Sequence, residues 1–450
     1  MGRLFGTDGV RGIAGEELTA ELACALGRAG AQVLAKDTAG RGPLILIGKD
    51  TRESGDMLED GLRRGILSVG GTVVHAGVLP TPAVAWLTRT RQADAGIVIS
   101  ASHNPYAYNG IKFFNRAGFK LADAVEDAIE ELVLQDGEAP VSVPAGVAVD
   151  VAQQEASLRD YANYLTSTMR ESISGMKMVV DCANGAASQV APRVFEALGA
   201  QCTYIGNRPD GRNINAGCGS TAPAALQRAV TEAGADIGLA FDGDADRLIA
   251  VDEKGQVVDG DRIMYACAKD LAARGELKEN LLTATVMSNL GLSLALAEAG
   301  IRYQTADVGD RYVLELMQAT GGVLGGEQSG HIIFLGQNTT GDGIYAALRF
   351  LEAVVRGGGT VSDAVSGIRI YPQVLVNARV KNENKNTYMQ DAEIAAACEE
   401  IEKRFAGEGR VLIRPSGTEP LVRVMLEGAD QAQLKAAADG LAQLIERKLG

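Results

Sequence analysis

Short apolar runs that end in glycine or polar residues, each followed by a segment with helical spacing, recur along the chain. They are clearest in "PLILIGKDTRESG" (43–55), "AGIVISASHNP" (95–105), "MKMVVDCANGAAS" (176–188), "ADIGLAFDGDADR" (235–247) and "LLTATVMSNLG" (281–291). A run of four to eight residues bounded by turn formers suits a buried strand, and the longer periodic segment after it suits a helix. The pattern predicts an α/β protein with mixed or parallel sheets covered by helices, and ligand loops at the carboxyl ends of the strands.

The pattern also breaks into units. The segment "DGEAPVSVPAGVAVD" (136–150) reads as a connector before the helix-like "QQEASLRDYANYL", and "DEKGQVVDGDR" (252–262) interrupts the next alternation with turn residues. A third seam falls in "VSGIRIYPQVLVNARV" (365–380), after which a strand, a charged helix, two strands and a last helix are expected. With 450 residues the chain exceeds one hydrophobic core. Four units are expected: 1–150, 151–255, 256–366 and a smaller α+β unit, 367–450.

Composition narrows the function classes. The net charge of −14 disfavours nucleic acid and anionic membrane as partners, so an anionic ligand needs a local cationic cluster. No apolar run approaches the ~20 residues that span a bilayer, and "MGRLFGTDGVRG" lacks a secretion signal, so a cytoplasmic protein is expected. The six cysteines show no C-x-x-C spacing and read as reduced, mostly buried side chains.

Chemistry concentrates in a few loops. In "FDGDADR", Asp242, Asp244 and Asp246 occupy alternate positions, and three such close carboxylates repel one another unless a cation or protons intervene. Oxygen-only ligands favour a hard divalent ion such as Mg²⁺. A calcium loop, suggested by Glu253 in twelfth place, fails because Arg247 stands where glycine is needed and both flanks read as strands. A solvated acidic turn is the plain alternative.

Ser102 in "SASHNP" is either a loop cap or a nucleophile, and the second reading needs a base or a metal to activate it. Lys112 downstream can neutralise charge or move a proton, or be an ordinary solvated lysine. "RVLIRPSGTEPLVRVMLEG" brings Arg414, Ser416, Gly417, Thr418 and Arg423 around a tight loop, a cradle for phosphate or a decorated hairpin. "LGGEQSGHIIF" places Glu327, Ser329 and His331 at alternating positions that point one way if the segment is extended, a set suited to sugar hydroxyls. Arg11 sits in the glycine-rich "FGTDGVRG". Nucleotide signals are poor: no G-x-x-x-x-G-K-[ST] is present, and "GCGSTA" (217–222) has no strand before it.

Taken in order, "TDGVRG", "SASHNP", "DGDADR", "GEQSGH" and "RPSGTEP" resemble the α-D-phosphohexomutase superfamily over nearly the whole chain. Together with "VGDRYV" (308–313) and "NTTGDG" (338–343), their particular forms are most similar to the amino-sugar branch, the bacterial phosphoglucosamine mutases.

The resemblance implies three related α/β domains and a mobile C-terminal one around a central cleft. It implies phosphorylation on Ser102, and Mg²⁺ held by Ser102, Asp242, Asp244 and Asp246. Glu327 and Ser329 would contact the sugar, and Arg414, Ser416, Gly417, Thr418 and Arg423 the non-reacting phosphate. Arg11, Lys112, Arg247 and His331 would surround the transferring group.

The implied reaction interconverts glucosamine 6-phosphate and glucosamine 1-phosphate, supplying UDP-N-acetylglucosamine and cell-wall precursors. Glucosamine 1,6-bisphosphate is the intermediate, and it or glucose 1,6-bisphosphate the activator. The expected partner is a small phosphosugar, and a homodimer is one option for the assembly. The same reaction on glucose or mannose phosphates, a metal-dependent phosphomonoesterase using Ser102, and a non-catalytic carbohydrate-binding protein are the competing readings.

Overall fold

The computed structural model describes residues 4–6, 8–34, 41–136, 146, 150–405, 409–416 and 419–450. Most of the expected connector at 136–150, and Gly417 and Thr418 of the expected cradle, lie outside the described residues.

The first sheet is built from β1 (Val10–Ile13), β2 (Leu44–Lys49), β3 (Thr72–Val78), β4 (Ala95–Ile99) and β5 (Tyr108–Asn115), in the order β1-β5-β4-β2-β3. Strands β3, β2 and β4 run parallel, β5 returns antiparallel to β4, and β1 pairs antiparallel with β5. Helices α1 (Ala20–Leu34), α2 (Gly55–Ser68), α3 (Thr81–Thr90) and α4 (Asp123–Asp136) accompany these strands. Ile45, Ile47, Ile97 and Ile99 of the sheet close a core with Leu26, Leu58 and Leu62 of α1 and α2. Such continuous apolar strands are what a sheet covered on both faces requires.

The second sheet repeats the plan. After α5 (Val151–Thr168) come β6 (Lys177–Asp181), α6 (Ala187–Ala197), β7 (Gln201–Ile205), α7 (Ala224–Ala233), β8 (Ile237–Phe241), β9 (Leu248–Asp252) and β10 (Val257–Val258). The order is β10-β9-β8-β6-β7, with β9 antiparallel to the parallel trio and β10 antiparallel to β9 in turn.

A third sheet, β12-β11-β13-β14, repeats it once more. Its strands are β11 (Leu281–Thr285), β12 (Arg302–Ala306), β13 (Leu324–Gly326) and β14 (Ile332–Phe334); along the chain this stretch also holds α8 (Gly260–Ala273), α9 (Leu290–Glu298), α10 (Asp310–Thr320), α11 (Gly343–Gly357) and α12 (Val361–Ala364). Again three strands are parallel and the last, β14, is antiparallel.

The last strands and helices are β15 (Gln373–Arg379), α13 (Ala392–Arg404), β16 (Gly409–Pro415), β17 (Leu421–Gly428) and α14 (Gln431–Leu449), the order the sequence pattern predicts. They form an antiparallel sheet, β15-β17-β16, whose Val422, Val424 and Leu426 pack against Ile394, Leu434, Leu441 and Ile445 of the two helices. The chain divides into two compact bodies. One runs through Met287 and takes in Ile301–Ser366; the other joins Ser288–Gly300, carrying α9, to Gly367–Gly450. Within the second body the Asn289 amide pairs with the Tyr371 backbone in both directions, at 2.9 and 3.0 Å.

The repetition positions the chemistry. In all three sheets a parallel strand hands over to an antiparallel neighbour, and each of those connections carries a motif: β4 to β5 holds Ser102, β8 to β9 holds Asp242 to Asp246, and β13 to β14 holds Glu327 to His331.

Candidate functional site

Ser102 is buried and adopts φ +53, a left-handed conformation uncommon outside glycine. Its Oγ donates to Asp242 Oδ2 over 2.6 Å, across 140 positions of sequence. His103 Nδ1 stands 3.4 Å from the same oxygen, a far looser contact. The serine thus meets the aspartate loop rather than the neighbouring imidazole.

The aspartate loop is a tight turn between antiparallel strands, with Ala245 at φ +55. Ligand oxygens of Asp242, Asp244 and Asp246 all lie within 4.8 Å of one another, and the three residues are 0%, 0% and 4% exposed. Gly243 is required by close approach, since a Cβ there would stand 2.5 Å from the Ser102 carbonyl oxygen. Glu253 turns away to Ser362, so the twelfth-position ligand of a calcium loop does not exist here.

Each carboxylate has its own surroundings. Asp244 accepts the Thr81 hydroxyl at 2.7 Å and Lys112 Nζ at 2.9 Å, and its backbone oxygen accepts Thr81 N–H at the start of α3. Asp242 Oδ1 accepts the Arg247 N–H at 3.2 Å. Burial, together with repulsion from Asp246 and Asp244, holds Asp242 far above the ordinary carboxylate range. For Asp246 burial acts the same way but is outweighed by His331, Lys112 and Arg247, which keep it ionised. Asp244 Oδ1 and Asp246 Oδ1 are buried without a hydrogen-bond donor. Orphaned anionic oxygens beside a hydroxyl oxygen form a donor set that a hard divalent cation satisfies.

Cations ring this pocket. Lys112, on β5, is 2% exposed and lies 2.9 Å from Asp244 and 3.0 Å from Asp8. Burial opposes its charge, but Asp244 and Asp8 overcome that and raise its pKa. Arg11, on β1, ion-pairs with Asp8, and β1 pairs with β5 so that Arg11 faces Gly110. Arg247 stands next to Asp246 with its Nε 3.9 Å from Asp246 Oδ1.

Glu327, Ser329 and His331 correct the extended-segment expectation. Residues between β13 and β14 form a turn, with Glu327 N bonded to His331 O at 2.9 Å, so the three side chains do not share one face. Glu327 and Ser329 stay at the surface 3.1 Å apart, whereas His331 turns inward. The cause is packing: Gly330, at φ +93, lies against the Leu248 backbone, and Arg247 and His331 form an antiparallel bridge between the second and third sheets.

Buried His331 sits between Asp246 at 3.4 Å and Asp310 at 3.3 Å. Burial disfavours its charge, but the two carboxylates prevail and push it up to about 9. Gly341 N–H also points at Nε2 over 3.0 Å, a contact suited to the neutral ring. Two flanking anions outweigh one amide dipole, so the imidazolium is the form at neutral pH.

Arg414 and Arg423 lie in the second body, directly opposite each other on β16 and β17. Like charges in that register repel, and burial together with Arg423 lowers the pKa of Arg414. Ser416 is buried, with its Oγ accepting Glu419 N–H at 3.2 Å. An anion placed between the two guanidinium groups would relieve the repulsion.

Asp8, Lys120, Asp310 and Thr81 went unselected in the sequence. Lys120 joins Asp8 and Asp310 at 2.6 Å each, completing a charge chain from Arg11 to His331. Asp8 and Asp310 lie inside the quoted "TDGVRG" and "VGDRYV", so those motifs held the signal; nothing local marks Lys120 or Thr81.

Four family models match successive segments: phosphoglucomutase/phosphomannomutase alpha/beta/alpha domain I over residues 2–139, domain II over 159–255, domain III over 259–371, and the C-terminal domain over 375–444. A protein of Clostridium acetobutylicum named phosphoglucosamine mutase is 56% identical over 449 residues, covering 100% of both chains. A crystal structure of a phosphoglucomutase/phosphomannomutase family protein from Burkholderia thailandensis matches with a TM-score of 0.81 at 25% identity, over 99% of this chain and 97% of that one. The N-acetylphosphoglucosamine mutase of Aspergillus fumigatus, solved with GlcNAc-6P and magnesium, shares the fold with a TM-score of 0.70 at 19% identity, over 99% and 96% of the two chains.

Proposed function

The chain belongs to the phosphoglucomutase/phosphomannomutase family, and we propose that it interconverts glucosamine 6-phosphate and glucosamine 1-phosphate with Ser102 as the phosphoryl carrier. The observation that carries this reading is the 2.6 Å contact of Ser102 Oγ with Asp242, inside a buried carboxylate triad flanked by Lys112. The amino sugar as substrate rests on the full-length relative that is 56% identical.

Phospho-Ser102 gives its phosphoryl group to O1 of glucosamine 6-phosphate: the bond from phosphorus to Ser102 Oγ breaks as the bond to O1 forms, the O1 hydroxyl gives up its proton and the departing Ser102 Oγ takes one up. The 1,6-bisphosphate then turns over and returns its 6-phosphoryl to Ser102, leaving the 1-phosphate. Traces of glucosamine or glucose 1,6-bisphosphate would restore a dephosphorylated enzyme. A divalent cation such as Mg²⁺, bound by Ser102, Asp242, Asp244 and Asp246, would offset charge on the serine and phosphoryl oxygens.

Lys112, paired with Asp244 at 2.9 Å and Asp8 at 3.0 Å, supplies a cation beside the moving group. Arg11, Arg247 and the His331 imidazolium complete that environment. Glu327 and Ser329 take the sugar hydroxyls, and Arg414, Ser416, Gly417, Thr418 and Arg423 the phosphate that is not reacting. The proposed domains are 1–150, 151–255, 256–366 and 367–450, and the proposed location is the cytoplasm. Among the described residues no helix is long and apolar enough to cross a membrane.

The test supplies Mg²⁺ and a trace of bisphosphate, compares glucosamine, glucose and mannose 6-phosphates, and follows products by phosphorus NMR. Preferred conversion of the amino sugar without free phosphate supports the reading. Preference for glucose or mannose overturns the substrate, and free phosphate as the main product overturns the mutase.

A further inference from the structure

Ser102 holds a left-handed backbone conformation that is strained in a residue with a Cβ, so surrounding structure must impose it. Its side chain is committed to Asp242, which leaves its backbone as the place where the constraint acts. That constraint comes from two side chains outside the carboxylate triad.

Arg52, fully buried, spends its guanidinium on the Ser102 loop. Nη2 donates to the carbonyls of Ser102 and Asn104, both at 2.9 Å, and Nη1 to those of Pro105 at 2.6 Å and Tyr108 at 3.0 Å. Nε donates to Asp50 at 2.8 Å. Asp50 also accepts the Ser100 hydroxyl at 2.6 Å, and Ser100 Oγ in turn accepts Ser102 N–H at 2.9 Å. Both backbone groups of Ser102 are therefore tied to one buried ion pair.

The second side chain comes from the other side. Asn215 lies between β7 and α7, and its Nδ2 donates to the same Ser102 and Asn104 carbonyls at 2.9 and 3.2 Å. Its own backbone is at φ +58 and is bonded to Ala183 O at 2.9 Å. The loop that carries the serine is thus gripped by the first sheet's domain and by the domain that supplies the aspartates.

We propose that Arg52 and Asn215 are positioning residues for phosphoryl transfer, clamping the Ser102 loop so that Oγ stays on the carboxylate triad. The inference rests on Ser102 being the phosphoryl carrier and concerns what aims it. Four guanidinium hydrogen bonds to the carbonyls of one loop, with the fifth donor held by Asp50, exceed what ordinary folding of a turn requires, and lysine, with one ammonium, cannot reproduce the fork. Neither residue reaches the triad's ligand oxygens through these bonds, so its loss acts on alignment before it acts on binding.

The test uses the full-length protein with Mg²⁺, glucose 1,6-bisphosphate and glucosamine 6-phosphate. Two variants are compared: Arg52→Lys, and the isosteric Asn215→Asp, which keeps the packing but removes the donor. Folding is checked by circular dichroism, and amide exchange is followed across residues 100–109. The clamp predicts a kcat lower by about a hundredfold with KM within about threefold, as a misaimed nucleophile gives. It also predicts slower phosphate uptake at Ser102 and faster exchange in that loop alone.

Wild-type turnover in both variants, kcat and KM moving together, or unchanged loop exchange would overturn it. If the wild-type enzyme isomerises the sugar without ever labelling Ser102, the carrier assignment fails instead. The positioning role falls with it in that case, whereas labelled Ser102 with unchanged loop exchange overturns the clamp alone.

Discussion

Lys112 Nζ lies 2.9 Å from Asp244 Oδ2 with both side chains buried, so a fixed cation is built into the carboxylate cluster. That pairing makes a prediction with a sign. Lys112→Met should bind Mg²⁺ about tenfold more tightly, because a competing positive charge is gone, while turnover falls by about a hundredfold or more. Calorimetry with Mg²⁺ checks the first part; weaker binding would mean that Lys112 supports the triad in some other way.

Ser102→Ala removes the hydroxyl that Asp242 accepts. The variant should lose isomerisation while retaining affinity for glucosamine 6-phosphate by calorimetry. Turnover near that of the unaltered protein would take Ser102 out of the chemistry.

Gly243 has no room for a methyl group: its Cβ would lie 2.5 Å from Ser102 O and 2.9 Å from Asn215 Nδ2. Gly243→Ala should push the aspartate loop off the serine loop and cost about a hundredfold in kcat, with thermal stability lowered much less steeply. Steady-state kinetics beside a melting curve tests this, and full activity would show that the loops have slack.

His331 supplies a pH dependence. Its pKa in the fold stands at about 9 against an ordinary 6.5, so its ion pairs stabilise the fold fully below pH 6.5 and lose that contribution as pH rises through 9. For chelator-treated protein, the stability gap between wild type and His331→Gln should be roughly 3 kcal/mol at the acid end and close as pH rises. Urea titrations at several pH values measure it. A gap independent of pH would favour the neutral ring accepting Gly341 N–H.

Arg414 faces Arg423 across the antiparallel pair β16 and β17. Arg414→Gln should raise KM for the sugar phosphate by about ten- to a hundredfold, the worth of a charge-assisted bond, and leave labelling of Ser102 by bisphosphate less affected. Equal loss of both would place Arg414 in the transfer step itself.

The sequence by itself determined the alternation of strands and helices, the element order of the last unit, and which loops hold chemistry. Each of these is local: strand runs such as "GIVI" and "IGLAF" are apolar because both faces are covered, and "DGDAD" is legible because carboxylates repel at short range. On its own Ser102 could be read as a cap, and only tertiary structure decided otherwise, by bringing it to Asp242 from 140 positions away. Tertiary packing also turned His331 away from Glu327 and Ser329, against the alternation of the segment, because Gly330 had to meet the Leu248 backbone. Lys120, Thr81, Arg52 and Asn215 stayed silent for the same reason. Their partners lie in other segments of the chain, and a polar residue gives no local sign that it will be buried against them.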